Sequence, residues 1–223
     1  MISIIVPSMY RPDQFRECIK RLRETTTGFD VEIVAVVDGR CSRTLAVAAE
    51  LQLLTIFNEK HQGALVSWNR GLRVCSGNYV VTIADDVYCH DNWLEEALKS
   101  HATLPGWSGI VGLNPLHDEG YRKTHCCHFL ADRKAIREVL GGVLFYETKY
   151  KHYCSDNETY DRAVKARRYV ASEKSIVEHL HWRHEKATKD IVYALTEQYL
   201  ADDYKVLRAR KAAGYPNDFP SMI

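Results

Sequence analysis

The stretch Asn78-Tyr79-Val80-Val81-Thr82-Ile83-Ala84-Asp85-Asp86-Val87 decides the fold of this chain. Tyr79 to Ile83 suits a buried strand, because β-branched and aromatic side chains pack well on a pleated surface. Two adjacent carboxylates follow at once, and carboxylates enter a protein interior only where a cation or polar ligand meets them. A strand that runs into acids is how open α/β sheets present ligands at their carboxyl edge. It is equally how a strand ends in a solvated turn, so the surrounding pattern has to choose.

On the N-terminal side, Ile2 to Val6, Val31 to Val37 and Leu53 to Phe57 are continuous apolar runs of strand length. Phe15, Cys18, Ile19 and Leu22 recur at helical spacing, which predicts an amphipathic helix over 12–25 with Pro12 in its first turn. Ser42 to Leu51 and Gly63 to Val74 read as two more helices, and Gly77 closes the second before Tyr79. The order is β-α-β-α-β-α-β. Strands that are apolar throughout, and separated by helices, predict a parallel sheet covered on both faces.

On the C-terminal side the pattern is less regular. It predicts a helix over 92–102 capped by Asp91, a short strand from Gly109 to Leu113, and a loop over 114–127. A helix over 132–140 stopped by Gly141-Gly142, a helix over 156–165 and a strand over 169–177 follow, leading into Glu178-His179-Leu180-His181. Residues 188–213 read as one long charged helix, and Pro216 and Pro220 make a tail that cannot continue it.

The 223 residues suffice for one large domain with a helical appendage. A net charge of +1 gives no global field toward nucleic acid or anionic membrane. No apolar run approaches the roughly 18 residues that a membrane span needs. The seven cysteines are odd in number, Cys126 and Cys127 are neighbours, and the first residues form a strand pattern rather than a signal peptide. The expectation is reduced thiols and a cytoplasmic protein.

The order of these features resembles the inverting glycosyltransferases of family 2, which adopt the glycosyltransferase-A fold. Ile4-Ile5-Val6-Pro7-Ser8-Met9-Tyr10-Arg11-Pro12 resembles the family's opening strand and nucleotide loop, and Val34-Ala35-Val36-Val37-Asp38-Gly39 its second strand ending in an acid. Asn58, Gly63, Asn69, Gly71 and Gly77 stand where the family has them. Ala84-Asp85-Asp86 takes the place of its Asp-Xaa-Asp motif, followed by Asn92-Trp93-Leu94-Glu95-Glu96-Ala97. The resemblance implies an α/β fold of glycosyltransferase-A type: a Rossmann-like, mostly parallel sheet flanked by helices, with a C-terminal helical extension. It places a catalytic domain over 1–185, with a nucleotide-binding half (1–90) and an acceptor half (91–185), before a helix and tail over 186–223.

The implied activity is metal-dependent, inverting transfer of a sugar from a nucleotide-sugar, a UDP-sugar first among donors, to an acceptor hydroxyl. The acceptor would be a glycan, a lipid-linked sugar, a protein or a modified DNA base. Pro7, Ser8, Arg11, Asp38, Asn58, Gly63, Asn69 and Asp85 are the implied donor-binding residues. Asp38 equally suits a turn, and Asn69 a packing role inside its helix. The cation, Mn2+ or Mg2+, falls to Asp86, because the motif's first acid is Ala84 here. An imidazole from His181, or else His179, would complete the site and favour manganese. A rival zinc site would draw on His125, Cys126, Cys127, His128 and the later histidines, but lacks a Cys-Xaa-Xaa-Cys spacing.

The resemblance assigns the general base to Asp156, with Glu158 as the second candidate; Asp156 also suits a plain N-cap. His128 and Arg133 are candidate substrate contacts, and Trp107 and Trp182 candidate sugar-stacking rings. The last helix reads as surface packing or a homodimer contact. Lys205, Arg208, Arg210 and Lys211 at its end suit an anionic acceptor or the helix dipole. Other readings are a nucleotidyltransferase, though the Pro7–Pro12 loop lacks the expected glycines, and a non-catalytic nucleotide-sugar binding module.

Overall fold

The structure, a computed structural model, describes residues 1–117 and 124–217. β1 (Ile2–Ser8), β2 (Val31–Asp38) and β3 (Leu54–Asn58) lie parallel and adjacent, joined by α1 (Pro12–Thr25) and α2 (Ser42–Glu50). α3 (Ala64–Val74) returns the chain to β4 (Tyr79–Thr82), parallel to the other flank of β1. This is the predicted β-α-β-α-β-α-β unit, with Pro12 opening α1.

The period of two along each strand sends side chains to two cores. Ile2, Ile4 and Val6 pack with Phe15, Ile19 and Leu22 of α1 on one face. Ile5, Val34 and Val36 pack with Leu65, Trp68 and Leu72 of α3 on the other. Each such fully buried side chain contributes roughly 1.5–3 kcal/mol. α3 comes close to β1 because Gly71 has no side chain: a Cβ there would stand 2.3 Å from Ile5 Cγ2.

The second half mixes directions. β5 (Val87–Cys89), β6 (Ile110–Asn114), β7 (Phe129–Asp132) and β8 (Tyr169–His179) extend the sheet in the order β3-β2-β1-β4-β7-β6-β8-β5. β7 runs antiparallel to both β4 and β6, and β5 antiparallel to β8. β6 and β8 are parallel. The sequence pattern missed β5 and β7, whose 3 and 4 residues are too short to show a period.

Among the described residues the further α-helices are α4 (Trp93–His101), α5 (Arg133–Glu138), α6 (Ser155–Lys165), α7 (Ile191–Glu197) and α8 (Leu200–Ala212). Asn92, not Asp91, occupies the cap position of α4, and Asp91 pairs with Arg21 at 2.6 Å instead. Asp132 caps α5, its carboxylate accepting from Ala135 N at 2.9 Å. The expected single helix over 188–213 is two. Thr196 Oγ1 donates to Val192 O at 3.2 Å, a back-bond that bends helices, and Tyr199 N donates to Thr196 O three residues back. Part of the expected loop over 114–127, and Pro220, lie outside the described residues. Among the described residues no helix is long and apolar enough to cross a membrane. The seven cysteines stand as free thiols.

Candidate active site

The carboxyl ends of β1, β2 and β4 open onto one cavity of about 410 Å³, a volume usual for a small-molecule site. Pro7, Ser8, Arg11, Asp38, Gly63, Asp85 and Asp86 line it from the N-terminal half. Asp156, His179 and His181 line it from the C-terminal half, so ten of the residues singled out in sequence meet there.

The sheet register explains how Asp86 meets a histidine. The antiparallel β5–β8 pair sets Val87 opposite His179, and Leu180 N donates to Asp86 O at 2.8 Å. Asp86 Oδ1 therefore stands 3.2 Å from His179 Nε2. His181, the first choice in sequence, lies one ring further off: its Nδ1 accepts from Arg183 N at 3.2 Å. Its ring centre is 5.1 Å from that of His179.

Arg11, between β1 and α1, neutralises the acid pair. Its Nη1 donates to Asp85 Oδ1 at 3.1 Å and to Asp86 Oδ2 at 3.0 Å. Its Nε and Nη2 donate to Asp190 at 2.7 and 3.1 Å. Ser8 Oγ donates to Asp85 Oδ2 at 2.7 Å. Asp190 also caps α7, accepting from Val192 N and Tyr193 N. That cap lays the Tyr193 ring on Arg11, 4.1 Å from the guanidinium carbon, and its hydroxyl donates to Asp86 Oδ2 at 2.6 Å.

These contacts split the two acids. Burial pushes the Asp85 carboxyl up, Arg11 opposes it, and the Asp86 charge pushes again, to about 6. At Asp86 the penalty of burial is outweighed by His179, Arg11 and Tyr193, and its carboxyl is held well below the usual range. Arg11 likewise pays for burial, but Asp85, Asp190 and Asp86 hold it firmly protonated.

A histidine cluster borders the acids. His117 stacks on His184 at 3.8 Å, and the His117 and His128 rings lie 5.3 and 5.0 Å from His179. Burial, then the neighbouring His179, lowers His117 to about 2 and His128 and His181 each to about 3. These imidazoles are neutral at neutral pH, the form that ligates metals. Of the expected zinc donors, His125, Cys127 and His128 line the cavity, whereas Cys126 Sγ is turned toward Asp156 O at 3.7 Å in the core.

Asp38 behaves differently from the acid pair. Its Oδ1 accepts from Asn58 Nδ2 at 2.9 Å and Gln62 N at 2.8 Å, and its Oδ2 from His61 Nδ1 at 2.6 Å and Gly63 N at 2.9 Å. A carboxylate has about four lone-pair sites, and all are filled. Asp38 thus holds the 61–63 loop, where Gly63 takes a φ of 91° that favours glycine.

Three of the expected donor-binding and base residues do not reach the cavity. Asn58 lies at the end of β3, bonded to Asp38, Ser67 and Arg70. Asn69 spends its side chain on residues 144–147, accepting from Leu144 N and donating to Phe145 O and Glu147. Glu158 is fully buried, held bidentate by Arg210 at 2.8 and 2.9 Å, with Arg162 and Tyr150 completing the shell. That ion cluster joins α6 to α8 and holds Glu158 away from the cavity. It also turns Arg210 inward, so the basic residues at the end of α8 are not one patch.

Arg133 ties α5 to the end of α3, donating to Leu72, Cys75 and Gly77 carbonyls, and makes no cavity contact. Trp107 is 78% exposed and Trp182 packs by His181, both off the cavity lining.

Sequence reasoning missed the wall built by the C-terminal helices. Tyr193, Thr196, Tyr199, Leu200 and Tyr204 line the cavity. Asp203 accepts from Lys151 N, His152 N and Tyr153 N at 2.7–2.9 Å and so sets the loop opposite. His61, Trp68 and His117 are further lining residues that no local pattern marked for the site. A helix of mixed polarity carried no sign that its inner face borders a cavity rather than a core.

Residues 3–140 match the family model described as Glycosyl transferase family 2. The uncharacterized glycosyltransferase YibD of Escherichia coli (strain K12) is 31% identical over 93 residues, 39% of this chain and 27% of that protein. The amylovoran biosynthesis glycosyltransferase AmsE of Erwinia amylovora is 29% identical over 113 residues, 47% of this chain and 42% of that one. The chain thus aligns with less than half the length of these relatives. Among solved structures, the mannosyltransferase PcManGT from Pyrobaculum calidifontis, in complex with GDP-Man and Mn2+, superposes with a TM-score of 0.67 at 17% identity, covering 99% of this chain and 76% of that one. Glucosyl-3-phosphoglycerate synthase from Mycobacterium tuberculosis, in complex with Mn2+, UDP and glucosyl-3-phosphoglycerate, gives 0.64 at 16% identity, covering 98% and 81%. At these identities the superpositions speak for the fold.

Proposed function

We propose, for a chain that belongs to glycosyl transferase family 2, that it transfers a sugar with inversion from a nucleotide-sugar, a UDP-sugar first among donors, to an acceptor hydroxyl. The observation that carries this reading is the meeting of Asp86 Oδ1 and His179 Nε2 at 3.2 Å, in a cavity that Asp156 also lines.

The donor lies along the rim of β1, β2 and β4, the crevice that open α/β sheets offer to nucleotides. Ser8, the 61–63 loop held by Asp38, and Arg11 surround its nucleotide and diphosphate. The residues present fit a divalent cation: Asp86 supplies an oxygen whose Oδ1 is buried with no hydrogen-bond partner among the described residues, and His179 supplies an imidazole beside it. When bound, such an ion offsets the charge of the diphosphate leaving group as a Lewis acid. Arg11 meets the same charge by exchanging its bonds to Asp85 and Asp86 for bonds to phosphate oxygens. Asp85 then keeps Ser8, and its raised proton affinity limits repulsion beside Asp86.

Asp156, in the first turn of α6, accepts the proton of the acceptor hydroxyl as that oxygen attacks the anomeric carbon. The nucleoside diphosphate departs from the opposite face, which inverts the centre. Acceptors of this class are a glycan, a lipid-linked sugar, a protein or a modified DNA base. The free thiols suit a cytoplasmic setting. Ile191 and Leu195, exposed on α7, are the residues open to a homodimer contact.

Thermal denaturation with UDP, GDP, CDP and TDP, each with and without Mn2+, tests the donor site. Stabilisation by at least one nucleotide that requires the metal is expected; none at all refutes the reading. Asp156→Asn should retain that stabilisation and lose transfer by roughly 100-fold or more. Full activity in this variant would remove Asp156 from the mechanism.

A further inference from the structure

We propose that His117, Cys127 and His179 form a binding site for a borderline-soft transition ion of the zinc or cobalt class, next to the acid pair. One ligand atom from each lies within 4.8 Å of those of the other two. It is the one such group of His, Cys, Asp or Glu among the described residues, and all three side chains line the cavity. Three neighbouring strands deliver them: His117 follows β6, Cys127 precedes β7 and His179 ends β8.

The donor chemistry sets this site apart from a carboxylate site. Two imidazoles and a thiolate suit zinc or cobalt, whereas magnesium takes oxygen ligands. The two nitrogens of His179 have different surroundings. Nε2 faces Asp86 Oδ1 at 3.2 Å, and Nδ1 is buried with no hydrogen-bond partner among the described residues. A ring that sets one nitrogen against a carboxylate and leaves the other open to an ion has the order of groups found in carboxylate–histidine–metal sites. Asp86 is then the positioning residue of this triad. Three protein donors leave a fourth coordination position directed at the cavity. On binding, the Cys127 thiol loses its proton to solvent and the two imidazoles bind as neutral ligands, so uptake of one ion releases one proton.

The site shares His179 and Asp86 with the donor-binding reading, but it needs no nucleotide, so its test is separate from the test of that reading. The bland alternative is that the imidazoles simply pack, as His117 does on His184. Titration of the reduced, nucleotide-free full chain with Co2+, followed by absorption, separates the two. One equivalent should produce a near-ultraviolet thiolate-to-cobalt band, and Zn2+ in excess should bleach it while Mg2+ does not. Cys127→Ser should abolish the band. It should also weaken Zn2+ binding, measured by calorimetry, by more than the roughly 10- to 100-fold that loss of an outer-shell partner costs. Asp86→Asn should keep the band and lose affinity within that 10- to 100-fold range. If Cys127→Ser does not fold, by circular dichroism, His117→Gln carries the same test through its loss of Zn2+ affinity. Absence of the band in the unmodified chain overturns the proposal. So does a band of equal intensity in Cys127→Ser, which would put the ion on other thiols.

Discussion

Asp38 and Asp86 sit on one rim, at the ends of β2 and β4 on either side of β1, yet one is met from nearby in sequence and the other from far away. Asp38 ends β2 and is bonded by Asn58, His61, Gln62 and Gly63, all within 25 residues. Asp86 follows β4 and is met by Arg11, His179 and Tyr193, up to 107 residues away. The first is a finished local structure whose lone pairs are spent. The second leaves Oδ1 without a hydrogen bond and faces an imidazole. Burial alone does not separate the two, since Asp38 is 3% exposed and Asp86 6%. What separates them is the completeness of their hydrogen bonding.

The comparison breaks most visibly at Asp38. Asp38→Ala strands the Asn58 amide and the N–H groups of Gln62 and Gly63, so urea unfolding should show a loss of roughly 3 kcal/mol. A loss below about 1 kcal/mol would mean that the loop does not depend on this carboxylate. Asp86→Asn should act on function instead: a cooperative melt is retained, and sugar transfer falls about 100-fold.

Asp85 sharpens the contrast by pH. Its folded-state carboxyl is raised to about 6, so the folded chain binds this proton more tightly than the unfolded one. The resulting stabilisation is complete below the ordinary Asp value and is lost as pH rises through 6. Between about pH 6 and pH 4, the unmodified chain should gain on the order of 1 kcal/mol relative to Asp85→Asn, in paired urea titrations.

Tyr193→Phe removes one hydroxyl from Asp86 while keeping the ring on Arg11, and should cost about 1 kcal/mol. His61→Ala is the smallest change, because 41% of the ring's surface is exposed. A loss within about 1 kcal/mol, with the donor site still responsive to nucleotide, is expected from thermal melts.

The same contrast explains what was legible in sequence. β1 to β4 and their helices rest on residues close in the chain, and their periods and glycines carry the signal. Asp38, Asp85 and Asp86 were visible because each ends such a strand. Glu158 and Asp156 look alike in sequence, two positions apart in one helical turn. Only the packing of α8 reveals that Arg210 claims Glu158. That His179 rather than His181 stands beside Asp86 depends on the pairing of β5 with β8, and β5 is too short to be read. The Tyr193 wall depends on an Arg11–Asp190 bond that no local pattern encodes.

That bond has a consequence for how the molecule is made. Arg11 and Asp190 are separated by 179 positions, so on a ribosome the first partner waits for the second. At ordinary elongation rates the wait is on the order of ten seconds. During it the N-terminal strands can pair among themselves, but the acid pair has only Arg11 to offset its charge. The nascent chain would therefore carry an open, partly neutralised rim until the segment around Asp190 emerges and closes it.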